Sequence, residues 1–471
     1  MTPLFISAAH KSSGKTTVTV GLCAAFAAKG LTVQSFKKGP DYIDPMWLAR
    51  ASGRTCHNLD FYTMDWDEIL ATVITHGRGS DMALIEGNKG LYDGLDLDGS
   101  NSNAALAKLL GTPIILVLDA RGMTRGIAPL ILGYQAFDPG VPIAGVILNQ
   151  LGGSRHEAKL RAVIEHYTDV TVVGAIHRNP RLEIVERHLG LIPSNEDAGS
   201  NDKIVEIGKT IAAQVDLERL LEFAAAAPPL PTVTVPRTKS KPGSKVRIGV
   251  ARDAAFGFYY PGDLEAFELA GAELIFVNTL SDSHLPDLDG LFIGGGFPEI
   301  QMQSLEANTA LRSDIRESIA SGLPAYAECG GLMYLCRSLS WDERRCNMVG
   351  VIPADVVMHK RPQGRGYVRL RENENGLWPN PPVEKSEIAG HEFHYSNLSN
   401  VEKPFRFAYN VTRGTGVDGK HDGIVINNLL ACYSHQRHTR QNPWAQRFVE
   451  FVRQCTADHH DGAENRKDAV Y

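Results

Sequence analysis

LFISAAHKSSGKTTVTVGLCAAFAAKG, residues 4 to 30, sets an apolar strand, a loop of small residues and a helical run one after another. The helix opens on Gly14, Lys15, Thr16 and Thr17. This layout makes an anion site, because the unpaired N–H groups and the positive end of the helix dipole both face whatever lies in the loop. With a GKT sequence at that point the anion is a nucleotide phosphate: Lys15 reaches the β and γ phosphates, and the Thr16 hydroxyl is a ligand for Mg²⁺. The first glycine of the usual GxxxxGK spacing is Ala9 here. The assignment therefore rests on the strand before the loop and the helix after it.

Outward from this loop, LFISAA, TVQSFK, MALIEG, PIILVLDA, IAGVILN and TVVGAI are short β-branched runs separated by helical stretches, up to residue 176. That alternation predicts an α/β domain with a parallel sheet. At 224 to 245 the chain turns to AAAAPPLPTVTVPRTKSKPGSK, a proline-rich and then basic linker. KVRIGVARD, AELIFVNTL, DGLFIGG and PAYAEC then begin a second α/β series. The expected organisation is a first domain over 1–223, a linker over 224–245, a second domain over 246–440 and a polar, disordered tail over 456–471. A length of 471 residues suits two or three domains.

Hydrophobic residues make up 43% and charged residues 22% of the chain, as in soluble globular proteins. A net charge of −6 gives no support to a nucleic-acid surface. Seven cysteines without CxxC spacing argue against a disulfide framework or zinc ribbon and fit a reducing cytoplasm. No basic leader and no apolar run of about 18 residues is visible, so neither export nor membrane insertion is expected.

Magnesium beside a phosphate takes carboxylate oxygens. Asp44, in FKKGPDYIDP (36–45), and Glu86, in LIEGNKGLYDG (84–94), each follow a predicted strand. The carboxyl ends of parallel strands form the ligand crevice of an open sheet, which gathers both beside Thr16. Asp41 and Asp93 are lesser candidates, since acids in glycine-rich loops commonly form turns. Lys37, Lys38 and Lys89 make the crevice basic and suited to an anionic substrate.

In the second series AYAECGGLMYL (325–335) runs a strand into Cys329, a glycine pair and a helical pattern. A thiol on such a strand-to-helix turn stands clear of its backbone, the layout of a nucleophile elbow. Upstream, LDGLFIGGGFPE (288–299) offers bare backbone N–H groups for an oxyanion. Downstream, GIVINNLLACY reads as a strand that ends near His435, a base for the thiol, with His438 as a competitor. His391 and His394 in GHEFHYS are one residue too close for a zincin pair and read as part of a structural or substrate-side strand.

Taken in order, GKTT, FKKGPDYIDP, EGNKGLYDG, ERHLGLIP (186–193), GGGFPE, YAECGG, GHEFHYS and the ACYSH ending resemble the cobyrinate a,c-diamide synthases over nearly the whole chain. The resemblance implies a dethiobiotin synthetase-like P-loop domain followed by a flavodoxin-like class I glutamine amidotransferase domain. It implies that Cys329 attacks the glutamine amide with His435 as its base, and that Gly295, Gly296 and the N–H of Gly330 form the oxyanion hole. ATP at Gly14, Lys15, Thr16 and Thr17 would activate the a and c acetates of a tetrapyrrole as acyl phosphates, with Mg²⁺ on Thr16, Asp44 and Glu86. Asn149 stands where relatives of this fold contact adenine, and Lys38, Asp41, Tyr42, Asn88 and Lys89 lie where the substrate would bind. Partners are then small molecules, with a homodimer compatible. Many class I glutaminases have a glutamate two residues after the histidine, where this chain has Arg437, so the group that orients His435 is left unidentified.

Asn88 and Lys89 replace an apolar pair usual in the family and, with GSNSN (99–103), are similar to a branch associated with dissimilatory sulfite reductase. That gives sirohaem or sirohydrochlorin as an alternative substrate beside cobyrinate or hydrogenobyrinate. A different class of answer is a P-loop switch or partitioning ATPase. Such proteins carry a signature lysine four residues before the glycine of GK, where this chain has His10, and a switch does not explain a cysteine elbow.

Overall fold

Strands that are apolar on both faces belong in the middle of a covered parallel sheet. The computed structural model describes residues 1–187, 190–197, 199–231, 233, 243–383 and 386–468, and in it the chain forms two units, Met1–Pro236 and Arg237–Tyr471. In the first unit seven strands build one parallel sheet: β1 (Thr2–Ala8), β2 (Val33–Lys38), β3 (His57–Leu59), β4 (Met82–Glu86), β5 (Ile114–Asp119), β6 (Ile143–Leu151) and β7 (Thr171–His177). Their order is β3-β2-β4-β1-β5-β6-β7, with β1 and β4 central. The register sets Glu86 level with Ile6 on one side and Lys37 on the other. Residues that end different strands thus meet at one edge of the sheet.

Helix α1 (Lys15–Ala28) follows β1 directly and packs on the helix Ser200–Gln214. Small residues set the approach. A Cβ on Gly21 would come within 2.3 Å of Ile211 Cγ1, and one on Gly208 within 2.8 Å of Ala24 Cβ. Strand β3 was not expected from the sequence, because HNL is three residues long and not an apolar run.

The second unit is built on a nine-stranded sheet. Val246–Ala251 pairs in parallel with Ala272–Val277 on one side and with Gly290–Ile293 on the other. Gly290–Ile293 pairs in parallel with Ala325–Glu328, and that strand with Leu429–Cys432. Beyond it the sheet becomes antiparallel through His421–Ile426, Arg406–Arg413, Gly364–Glu372 and Ile388–His394. GIVINNLLACY is therefore two strands and not one. Ile426 pairs with Leu429 across a turn of Asn427 and Asn428, and Asn427 has a φ of 50°, as tight hairpins require.

Two further expectations change. The helix Trp444–Asp468 extends the unit past residue 440 and is helical over most of the stretch expected as a disordered tail; residues 469–471 lie outside the described residues. Its apolar positions Trp444, Phe448, Val449 and Val452 recur at helical spacing and are buried with Phe267, Phe292 and Tyr326. At the other junction the helix Leu217–Ala225 continues past residue 223, while most of the linker from 232 on, like His188 and Leu189 of the ERHLGLIP segment, lies outside the described residues. No helix among the described residues is long and apolar enough to cross a membrane.

Candidate active sites

The first site grows from the end of β1. Ser12 and Gly14 take φ of 62° and 80°, which folds the loop back so that α1 can start at Lys15. A Cβ on Gly14 would meet the Asn149 Nδ2 at 2.2 Å, so glycine is needed there twice, for backbone and for space. That same Nδ2 donates to the Ser13 carbonyl at 2.9 Å. Asn149 thus touches the phosphate loop itself.

Three oxygen-bearing side chains converge below the loop. The Thr16 hydroxyl lies 2.7 Å from Glu86 Oε1 and 3.2 Å from Asp44 Oδ2. Lys37, buried at the end of β2, donates its ammonium to the same two oxygens at 2.8 and 2.5 Å. Burial alone would lower the Lys37 pKa, but the charges of Asp44, Glu86 and Asp41 outweigh it and hold the group above its usual value. For Asp44 burial pulls upward, and Lys37 overrides it, leaving the carboxyl below its ordinary range. Lys15 stands 3.9 Å from Glu86, with its pKa lowered by burial first and by Lys37 second. Glu86 Oε2 is buried without a hydrogen-bond partner among the described residues. Oxygens from a hydroxyl and two carboxylates, one of them with a buried unused atom, are the donor set a hard divalent cation takes.

The flanking loops are pinned by residues the sequence reading did not single out. Asn58 Nδ2 donates to the carbonyls of Gly39 and Asp41 at 2.9 and 2.7 Å. Asn103, fully buried, accepts from the Asn88 N–H at 3.1 Å and donates to the carbonyls of Asn88 and Gly90 and to Ser7 Oγ at 2.5, 2.9 and 3.2 Å. It is the last residue of GSNSN, and an asparagine there carries no signal beyond its polarity. Asp41 Oδ1 accepts the amides of Ile43 and Asp44, both at 3.0 Å, which starts helix α2 (Ile43–Ser52). Asp93 closes a turn on the Gly90 amide. Lys38 is buried to 7% exposure, 3.5 Å from Asn88 Oδ1; burial first, and then Lys89 and Lys37, bring its pKa down to about 8 against the pull of Asp60. Lys89 is exposed with a φ of 40°, and Tyr42 is buried.

The second site grows from the strand Ala325–Glu328. Cys329 has φ 48° and ψ −101°, a strained turn held by its own N–H on the Cys432 carbonyl at 2.7 Å, and a six-residue helix, Gly330–Leu335, follows. Glycine is demanded at both positions that follow Cys329. A Cβ on Gly331 would strike the Ile293 carbonyl at 2.1 Å, and one on Gly330 would come within 3.0 Å of the Gly296 nitrogen. Gly295 and Gly296 form a two-residue strand against Phe256–Phe258. A Cβ on Gly295 would meet the His435 ring at 2.5 Å.

His435, 3% exposed, lies between Cys329 and Glu328. Its Nδ1 is 3.3 Å from Glu328 Oε2. Burial alone would lower its pKa; hydrogen bonds and charge from Cys329 and Glu328 outweigh that and raise it to about 10. The ring of His391 stacks on it, centroids 4.9 Å apart, and the two backbones form a β-bridge. His438 is elsewhere: its amide donates to Asp263, and burial lowers its pKa to about 4. The Arg437 guanidinium lies over the Tyr260 ring, 4.9 Å from its centroid. His394 stacks on Tyr433 inside the unit.

Two family models match the chain. One, a CobQ/CobB/MinD/ParA nucleotide binding domain, spans residues 5–192, and the other, a CobB/CobQ-like glutamine amidotransferase domain, spans residues 247–443. A protein of Magnetococcus marinus named cobyrinate a,c-diamide synthase is 46% identical over 96% of this chain and 97% of its own. Proteins of the same name from Methanosarcina acetivorans and Archaeoglobus fulgidus are 41% and 40% identical, over 95% and 94% of this chain and 94% and 96% of their own.

Proposed function

The chain belongs to the cobyrinate a,c-diamide synthase family, and on that premise we propose how its two sites divide an ATP- and glutamine-dependent amidation between them. A carboxylate is a poor electrophile, so an amide requires both an activated acid and a nitrogen source. The observation that carries the reading is the pairing on one chain of a phosphate loop over an oxygen-lined cluster with a thiol whose imidazole partner also meets a carboxylate. The nucleotide-binding model is named for MinD and ParA as well as for CobQ and CobB, but a switch ATPase does not account for the amidotransferase match over the second unit.

In the second unit Cys329 gives its proton to His435 and attacks the side-chain carbonyl carbon of glutamine. The oxyanion is assigned to the N–H groups of Gly296 and Gly330, together with Gly295; the close approach of a Gly330 Cβ to the Gly296 nitrogen supports placing the two amides in one hole. His435 returns the proton to the departing nitrogen, ammonia leaves, and water hydrolyses the thioester to glutamate and free thiol. In the first unit the tetrapyrrole acetate attacks the γ-phosphorus of ATP, held by the amides of the loop from Gly14, by Lys15 and by Thr17. ADP leaves, and ammonia displaces phosphate from the acyl phosphate. Thr16, Asp44 and Glu86 would hold Mg²⁺, whose contribution is to neutralise charge on the phosphates. Asn149 braces the loop beneath the nucleotide. Lys38 and Lys89 supply positive charge to the acidic macrocycle beside Tyr42, while Asp41 and Asn88 shape the loops that present them.

The macrocycle is a cobyrinate-type tetrapyrrole, amidated at its a and c acetates. Of the polar pair that suggested sirohaem, Asn88 has a local role as well, since its side-chain oxygen lies 3.5 Å from the Lys38 ammonium. With ATP and glutamine the protein should add two amide groups to cobyrinate by mass spectrometry. Cys329→Ser should lose glutamine use and keep ammonium use, and Lys15→Ala should lose both. Amidation of sirohydrochlorin in place of cobyrinate would reverse the substrate assignment, and loss of both nitrogen sources in Cys329→Ser would end the two-site scheme.

A further inference from the structure

We infer that Glu328, the residue immediately before the nucleophile, is the carboxylate that positions His435, a role for which this chain has no glutamate two residues after the histidine. The inference rests on the glutaminase reading of Cys329. A carboxylate accepts hydrogen bonds and does not donate them, so its contact at 3.3 Å requires the proton of the neutral imidazole to sit on Nδ1. In the neutral ring the lone pair of Nε2 is then directed to the thiol, the tautomer a general base needs, and once His435 has taken the thiol proton the imidazolium is held between thiolate and carboxylate. Glu328 is itself held still. Its other oxygen accepts from the Tyr326 hydroxyl at 2.6 Å and from the Gln436 amide at 2.8 Å. The second of these bonds ties the carboxylate to the residue next to His435, so ring and acid are fixed to one another through the backbone.

The elbow explains how neighbours in sequence reach one ring. Consecutive side chains of a strand point to opposite faces, and the φ of 48° at Cys329 breaks that alternation, so that both Glu328 and Cys329 interact with His435. Charge favours the same assignment. Glu328 is 2% exposed, and among the described residues the one cationic group within ion-pair distance of it is His435. The groups facing the pair from other elements are His391, which burial and His435 keep neutral, Arg437 beyond it on Tyr260, and Cys432, Tyr259 and Asp263 around the carboxylate, with Tyr326 on the strand of Glu328 itself. Arg437, at the position where many relatives place the acid, interacts with Tyr260 instead.

The test uses the full-length protein with Glu328→Gln and Glu328→Asp beside Cys329→Ala. Glutamate release gives kcat and KM for glutamine, and iodoacetamide labelling of the Cys329 peptide across pH, read by mass spectrometry, gives the thiolate fraction. Glu328→Gln should lower kcat by on the order of 10²-fold or more with KM little changed. It should also move the labelling curve to higher pH by about one unit or more, because the imidazolium that stabilises the thiolate loses its partner. Glu328→Asp, which keeps the charge, should fall between variant and parent in both readouts. Parent-like kcat and labelling in Glu328→Gln, beside an inactive Cys329→Ala, would overturn the role of Glu328 alone. Continued glutamine hydrolysis by Cys329→Ala would overturn the glutaminase reading on which it depends.

Discussion

Adding one methyl group at Gly295 should switch off glutamine use and leave the ligase reaction running on ammonium. A Cβ built there lies 2.5 Å from His435 Cε1, 3.3 Å from Phe258 Cβ and 3.4 Å from His435 Nε2. Carbon atoms in contact sit about 3.5 to 4.0 Å apart, so the ring must retreat by roughly 1 Å or the glycine strand must move. Neither is free. Gly295 and Gly296 are paired with Phe258 and Phe256, the His391 ring is stacked on the imidazole, and Nδ1 is tied to Glu328. Overpacking of this kind costs about 1 to 3 kcal/mol of stability, which a unit with this much buried core tolerates. Its catalytic effect appears in full as a rate, since a misplacement of about 1 Å lowers a rate by on the order of 10²-fold.

Glutamate release and ammonium-driven amidation, measured on one preparation of Gly295→Ala, separate the two effects. Gly262→Ala is the control, because a Cβ there meets nothing within 4 Å. The expected result is a glutaminase kcat down about 100-fold with the ammonium reaction near that of the parent. Folded Gly295→Ala that hydrolyses glutamine within about threefold of the parent would refute the reasoning, since it would show that His435 has room the packing denies it.

Lys37→Met should lower the unfolding midpoint in metal-free buffer, because Asp44 and Glu86 lose the buried ammonium at 2.5 and 2.8 Å and keep only the more distant Lys15, 3.9 Å from Glu86, a loss of about 3 to 5 kcal/mol; added Mg²⁺ should recover more stability in the variant than in the parent, and an equal response would argue against a shared site. Lys38 is charged below about pH 8 and neutral above it, so kcat/KM for the tetrapyrrole should fall as pH rises through that value, and Lys38→Arg, whose guanidinium stays protonated, should push the fall to higher pH. Asn103→Ala removes the clamp on residues 88 to 90 and should cost about 1 to 3 kcal/mol while raising KM for the tetrapyrrole. Glutamate release in the absence of the tetrapyrrole should be unaffected, and an unchanged KM would show that the loop holds its shape without the clamp.

Most of the first sheet was legible because β1, β4, β5, β6 and β7 are short apolar runs separated by helical stretches, a pattern that depends on nothing distant. What stayed hidden depended on partners. In GIVINNLLACY the apolar residues on both sides of Asn427 and Asn428 read as a single buried strand, and the hairpin exists because Ile426 and Leu429 pair across a residue that tolerates positive φ. Strand β3 is legible only beside β2, which supplies its hydrogen bonds. The stretch from 456 on read as a polar tail because its own residues are polar, yet it continues a helix whose first turns are docked by four apolar side chains between Trp444 and Val452.

The same distinction runs through the sites. Lys15, Thr16, Cys329 and His435 stand at local signals, a glycine turn or a strand end, that announce a reactive group without saying what it meets. Glu328 stands in AYAE, a strand otherwise apolar, and a lone acid at that point is equally a surface residue or a turn former until its neighbours are known. Its meaning comes from Gln436 and His435, more than a hundred positions away, which arrive through the parallel pairing of Ala325–Glu328 with Leu429–Cys432. Lys37 shows the converse. Two consecutive lysines in FKK read alike as basic residues, yet the strand sends one onto Asp44 and Glu86, where its charge is consumed, and leaves the other beside Asn88 with its pKa lowered. Alternation along the strand makes that division. It follows that exchanging the two roles requires a change of register in β2, whereas substituting either lysine alone tests one role at a time.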